Sequence, residues 1–354
     1  MLARLEKMML IPDAKKILLI RFGLIGDVLF TTPVFRAIRN KYPDSYISIV
    51  VEPHSYEIIS GNPDIDEIFV FDLKENKNFK NLRKQIRFIK SLREKKFDMV
   101  IDLYHGGRSP FFAYLCGARH RLGGDNSWKK IFSNMLYTPS TDIKHCIESE
   151  LDKIYPLGIK AELDRDMVMY TSDEDKRFIN KMFDIKSSDL VIGINPGAGC
   201  PSKRWKVEGF AKVGDMLVER YQAKVIIVEN LGQEKTLAHQ IMNLMKYPAN
   251  IASGLNLKQL AALTKACHIF ISGDTGPLHI AVAMGASTVI LFTSTIPELA
   301  SPLSGKHRVI YKGICCPNCL RGNCKDLRCV EAIGVDDVLK AVDSLLQERK
   351  VVMV

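Results

Sequence analysis

Residues 15–27 read KKILLIRFGLIGD, and residues 190–199 read LVIGINPGAG. Each is a short apolar run that ends in a glycine-bearing loop. A helical pattern follows the first from about Val28 to Lys41, and the second opens a new cycle of strand, loop and helix. An unbroken apolar run of this length, bounded by turn residues, is the pattern of a strand buried on both faces. The alternation continues through SYISIVVEP and DMVIDLY in the first half, and through KVIIVEN, HIFISGDTG and STVILF in the second. The pattern predicts two α/β units in tandem, each a parallel sheet with helices on its faces, spanning residues 1–160 and 161–354. Such a pair is expected to frame a cleft, with ligands beyond the carboxyl ends of the strands, where every loop discussed below falls.

The rest of the composition narrows the class. A chain of 354 residues exceeds the size at which one hydrophobic core stops growing. Hydrophobic residues at 47% and charged residues at 25% are globular values, which excludes a disordered, collagen-like or disulfide-dense chain. The opening MLARLEKMMLIPDAKK breaks its apolar residues with charges and a proline, unlike a secretory signal. With no uninterrupted apolar run of about 18 residues, a cytoplasmic protein with reduced cysteines is expected. A net charge of +10 favours anionic partners, whether nucleotide, nucleic acid or lipid, without choosing among them. Between Lys74 and Lys96 ten Lys or Arg residues stand against Glu75 and Glu94, and Phe79, Leu82, Ile86 and Ile89 recur at helical spacing. This predicts a basic amphipathic helix over 79–95, either a solvated face or a surface for anionic lipid or acceptor phosphates.

Three loops carry the chemistry. The first, Phe22 to Asp27, has backbone N–H groups at a helix start, but its aspartate would repel a phosphate placed beside it. Asp27 is therefore a candidate base or sugar ligand, the alternative being a helix cap. The loop lacks the third glycine of the dinucleotide fingerprint. The second loop places Asn195, Pro196, Gly197, Ala198 and Gly199 before Lys203, Arg204 and Trp205. Small residues admit a ligand to the backbone and adjacent cations neutralise a diphosphate, the alternative being a surface loop with Trp205 as a packing anchor. The third runs Ser272, Gly273, Asp274, Thr275, Gly276, Pro277, Leu278, His279 and opens a helix of small residues, so a hydroxyl, free N–H groups and an imidazole can meet one anion, the alternative for His279 being a buried, satisfied histidine. Cys315, Cys316, Cys319, Cys324 and Cys329 crowd near the C-terminus. Cys316 and Cys319 have zinc-ligand spacing, but Cys324 and Cys329 are separated from them and from each other by four residues, unlike the paired knuckles of a zinc ribbon, so a reduced structural loop is expected over a metal site at Cys316, Cys319, Cys324 and Cys329.

Together the loops resemble glycosyltransferase family 9, the heptosyltransferases, over nearly the whole chain. The similarity lies in ILLIRFGLIGDVLFTTPVFRAIR, NPGAGCPSKRWKVEGF and SGDTGPLHIAVAMGASTVILF, and the tail CCPNCLRGNCKDLRC is similar to one common in that family. The resemblance implies a GT-B fold, with the acceptor on the first domain and an ADP-linked heptose on the second. It also implies inverting transfer to the lipopolysaccharide inner core, at the inner face of the inner membrane. By the same resemblance Asp27 is the base and Lys203 neutralises the diphosphate. Gly197, Asp274, Thr275, Gly276 and His279 surround the donor, and Glu234 takes the nucleotide ribose. Lys206 replaces a common proline, and Cys200 and Pro201 stand where hydroxyl residues are frequent. No Asp-x-Asp pair closes a strand, so no obligatory metal or other cofactor is expected, and with nothing that resembles a recognised nucleic-acid module no nucleic-acid partner is expected either. The competing readings are another nucleotide-sugar donor or an epimerase on the same fold, and a non-enzymatic basic protein that binds membrane or nucleic acid.

Overall fold

A computed structural model describes residues 14–75, 81–104, 106–125, 128–139, 142–159, 164–200, 203–229, 236–314, 324 and 326–352. The chain divides into two compact units, Met1–Met167 and Val168–Val354. Among the described residues the first holds β1 Lys16–Ile20, β2 Tyr46–Val51, β3 Glu67–Val70, β4 Met99–Asp102, β5 His120–Gly124 and β6 Met135–Tyr137. The second holds β7 Val191–Asn195, β8 Lys224–Val228, β9 Asn250–Ala252, β10 Ile269–Gly273, β11 Thr288–Phe292 and β12 His307–Tyr311.

Every neighbouring pair runs parallel, in the orders β3-β2-β1-β4-β5-β6 and β12-β11-β10-β7-β8-β9. Counted within its own unit, each sheet has the order 3-2-1-4-5-6 of a doubly wound Rossmann-like domain. The first strand of each unit is therefore central and covered on both faces, which is why KILLI and VIGIN read as near-continuous apolar runs. The order reverses between β1 and β4, and between β7 and β10. At such a switch point the loops that leave neighbouring strands diverge and open a crevice.

Leu18, Ile20, Phe22, Val50, Val100 and Phe112 lie in one core, and Ile192, Ile194, Val225, Ile227, Ile271 and Leu291 in the other. Gly193, in the middle of β7, is a packing requirement. A Cβ there would stand 2.5 Å from Phe270 Cδ2 and 2.9 Å from Cys267 Sγ.

Two helical expectations are adjusted. The pattern from Val28 to Lys41 forms two helices, Ile25–Phe30 and Thr32–Lys41, joined at Thr31. Pro33 has no N–H for the carbonyl of Leu29, and the Thr32 hydroxyl donates to that carbonyl instead, at 2.8 Å. The basic segment is helical over Leu82–Glu94, but it turns Phe88, Ile89 and Leu92 to the core and leaves Leu82 and Ile86 exposed. Phe79 lies outside the described residues. No helix among the described residues is long and apolar enough to cross a membrane.

Candidate active site

In the first unit the loop after β1 is built around one peptide. Gly23 has φ +126°, in the region that favours glycine, and a Cβ on it would meet Asp27 Oδ2 at 2.9 Å. The next N–H, that of Leu24, donates to this Oδ2 at 2.9 Å. Asp27 is thus the third residue of its helix and folds back on the loop, with one oxygen closing the turn. The loop after β2 grips the same glycine. Gly23 N donates to Glu52 Oε2 at 3.3 Å, while its carbonyl meets His54 Nε2 at 2.9 Å and accepts from Ser55 Oγ at 3.3 Å.

Behind the loop, the buried Arg21 guanidinium donates to the Asp27 carbonyl at 3.0 Å, to Thr31 Oγ1 at 2.9 Å and to Glu150 Oε1 at 3.1 Å. Thr31 in turn donates to the Asp27 carbonyl at 2.8 Å. The backbone of Asp27 is therefore fixed by two donors, while its carboxylate stands at the loop surface, only half-buried.

In the second unit the switch point collects the polar residues. Asn195 ends β7 and is fully buried, and its Nδ2 donates to Ser272 Oγ at 2.8 Å and Thr275 Oγ1 at 3.0 Å. This ties the carboxyl ends of β7 and β10 together. Gly197 lies buried in the loop that follows. Gly273 leaves room for that loop to return, because a Cβ on it would stand 3.3 Å from the Lys203 carbonyl.

Lys203 Nζ donates to Asp274 Oδ2 at 2.8 Å, Thr295 Oγ1 donates to the same oxygen at 2.9 Å, and His279 Nε2 lies 3.5 Å from Oδ1. Burial alone pushes the Asp274 carboxyl up. The hydrogen bond from His279 and the charge and hydrogen bond of Lys203 outweigh it and hold the group well below the usual carboxylate range. Thr275 and Gly276 stand at the start of the helix Gly276–Ala283, whose free N–H groups form the positive end of its dipole. The arrangement can receive a compact, doubly charged anion such as a diphosphate.

Lys203, Asp274, Thr275, Gly276 and His279, chosen from sequence, come together here. Glu234 lies outside the described residues, as do Cys315, Cys316 and Cys319. Cys324 Sγ donates to the Asp326 carbonyl at 3.0 Å, and Cys329 is buried in the core. Among the described residues no group of three His, Cys, Asp or Glu side chains is placed to hold a metal. Trp205 is a packing anchor, its Nε1 donating to the Ile333 carbonyl at 3.0 Å and its ring edge-on to Phe210. Thr295 and the tie made by Asn195 escaped the sequence reading. The signal for Thr295 was the hydroxyl run Thr293, Ser294, Thr295 just beyond an apolar strand.

Two Rossmann-like parallel sheets in one chain, each with a polar loop at its switch point, make this a GT-B fold. The model of glycosyltransferase family 9 (heptosyltransferase) matches residues 85–329, so the chain belongs to that family and is a glycosyltransferase. It is 26% identical over 334 residues to lipopolysaccharide heptosyltransferase 3 of Escherichia coli K12, covering 91% of this chain and 96% of that protein. A family 9 glycosyl transferase of Veillonella parvula superposes with a TM-score of 0.86 at 22% identity, over 95% of this chain and 98% of its own. The E. coli ADP-heptose lipopolysaccharide heptosyltransferase II superposes with a TM-score of 0.79 at 21% identity, over 95% and 99%.

Proposed function

We propose that this protein transfers a heptose from ADP-heptose to the lipopolysaccharide inner core, with inversion at the anomeric carbon, working peripherally at the cytoplasmic face of the inner membrane. The observation that carries the reading is the cluster of Lys203, Asp274, His279 and Thr295 at the switch point of the second unit. In this reading Lys203 exchanges its carboxylate partner for the diphosphate, the start of the helix Gly276–Ala283 faces the same anion, and Asp274 and His279 turn to the sugar. Gly197 admits the donor to the backbone, and Glu234 takes the ribose. The relatives' names favour ADP-heptose over another nucleotide sugar.

The first unit holds the acceptor. The acceptor hydroxyl oxygen attacks the anomeric carbon and a new C–O bond forms. The bond from that carbon to the diphosphate oxygen breaks, and ADP leaves with the electron pair. The acceptor's proton passes to the Asp27 carboxylate.

Two variants test the assignment. Asp27→Asn keeps the hydrogen bond to the loop but accepts no proton, so turnover at saturating donor and acceptor should fall roughly 10² to 10⁴-fold, with ADP affinity unchanged. Turnover within a few fold of the parent, with an unchanged melting curve, would reduce Asp27 to a capping residue. Lys203→Ala should weaken ADP binding by about 1.5 to 3 kcal/mol, read by calorimetry. Unchanged affinity would remove Lys203 from the donor site.

A further inference from the structure

The first unit also carries an aromatic surface that its own described residues leave uncovered. The helix Ser109–Leu115 buries Phe112 and Ala113 and exposes Phe111 and Tyr114, one turn apart. Beside it lies the 3-10 turn Trp128–Phe132. The Phe132 ring stands 5.9 Å from that of Phe111 and 5.6 Å from that of Tyr114, and Trp128 meets it edge-on at 6.2 Å. Trp128 and Ile131 are each 69% exposed. Arg121 fixes the arrangement: its guanidinium lies over the Tyr114 ring at 5.5 Å and donates to the carbonyls of Phe132 and Ala118 at 2.8 and 2.7 Å.

Single exposed apolar side chains are ordinary on a soluble protein, whereas a contiguous cluster marks a place of contact. The surroundings say what kind. Residues 106–139 hold five Lys or Arg against Asp125 alone. The basic helix Leu82–Glu94 adjoins them, since Arg108 donates to Gln85 at 3.2 Å and the Phe88 and Phe112 rings meet edge-on at 6.3 Å. That helix adds the exposed Leu82 and Ile86 among Arg83, Lys84, Arg87 and Lys90. Indole and phenol rings, with an apolar body and a polar tip, settle at the boundary of lipid and water, and lysine and arginine meet lipid phosphates there. A second copy of the chain would set two basic surfaces against each other. A free phosphate would have no use for Ile131.

We infer that this face docks the protein on an anionic phospholipid bilayer, with Trp128 and Ile131 entering the headgroup layer and the surrounding cations facing lipid phosphates. The inference rests on the peripheral membrane location in the proposed function and assigns it a surface. The vesicles in the test carry no glycolipid, so its failure removes this docking face and leaves the heptosyl transfer, read by turnover of the Asp27 and Lys203 variants, standing.

The chain has two tryptophans, and Trp205 is 2% exposed in the core of the second unit, so a change in emission on adding vesicles reports Trp128. With phosphatidylglycerol and phosphatidylethanolamine vesicles the full-length protein should show a blue shift and quenching by brominated lipid, both lost in Trp128→Phe. Trp128→Ser with Ile131→Ser should lower co-sedimentation about tenfold or more, with melting curves like the parent's. Lys130→Glu and Arg119→Glu should each lower it about fivefold at low salt and little at high salt. Unchanged emission together with equal sedimentation of all variants would overturn the inference. So would a concentration-dependent dimer that Trp128→Ser abolishes, which would assign the face to a second copy.

Discussion

Asp274 is the residue whose surroundings make the sharpest prediction. Its carboxyl is held low by His279 and Lys203 against the opposing effect of burial, so the folded protein binds its proton less readily than the unfolded chain does. Stability from this group is fully present above the unfolded carboxylate value, near pH 4, and drains as pH falls toward the lower folded value. Asp274→Asn should therefore lower the unfolding free energy at pH 7 and flatten its decline below about pH 4, in denaturant titrations across that range. Equal acid limbs in the two proteins would show that the cluster does not hold the carboxylate in solution. Much of this cluster was legible: Asp274, Thr275, Gly276 and His279 fall within six consecutive positions, and Lys203 follows a loop of small residues. Thr295 was not, because a threonine after a strand has many ordinary uses, and only the fold brings it to the carboxylate.

At the scale of elements, the helix Cys146–Asp152 reaches back to the first loop through Glu150. This buried carboxylate accepts from Arg21 at 3.1 Å and from Lys153 at 2.7 Å, so one anion serves two cations. Burial lowers the Lys153 ammonium, and the attraction of Glu150 opposes that effect. Glu150→Gln should destabilise the first unit by about 3 kcal/mol, the scale for breaking a buried pair and leaving its partners uncompensated. Lys153 then has a folded value further below the unfolded one. The unfolded chain binds more protons between those two values, so stability recovers as pH rises through that window. Denaturant titrations at pH 7 and pH 9.5 read both effects, and identical losses at the two values would separate Lys153 from Glu150. None of this was visible in the sequence, since Arg21 and Glu150 lie 129 positions apart. The strands were visible, because central parallel strands are buried on both faces and must be apolar throughout. The helix register was less so: the face of Leu82–Glu94 that packs is chosen by Phe88 and Leu92 against the core, which periodicity over Leu82 and Ile86 does not reveal.

At the scale of the molecule, each unit has its own core, and Gly193 shows how a single position can address one of them. A methyl group at Gly193 would press on Phe270 and Cys267, so Gly193→Ala should cost about 1 to 3 kcal/mol through overpacking. Hydrogen exchange should show the loss concentrated in residues 168–354, and equal loss of protection in residues 14–167 would show that the two units open together. The strand order has a further consequence, for a chain emerging from the ribosome. β2 and β3 can pair with β1 as soon as residue 70 is free, but the other edge of β1 waits for β4, which ends at Asp102. At translation rates of 5–20 residues per second that wait is on the order of a few seconds, during which Leu18, Leu19 and Ile20 border an unpaired edge. A shorter wait recurs in the second half, between β9, which ends at Ala252, and β10, which ends at Gly273, so the nascent protein twice offers a sticky strand to chaperones or to neighbouring chains on the same messenger.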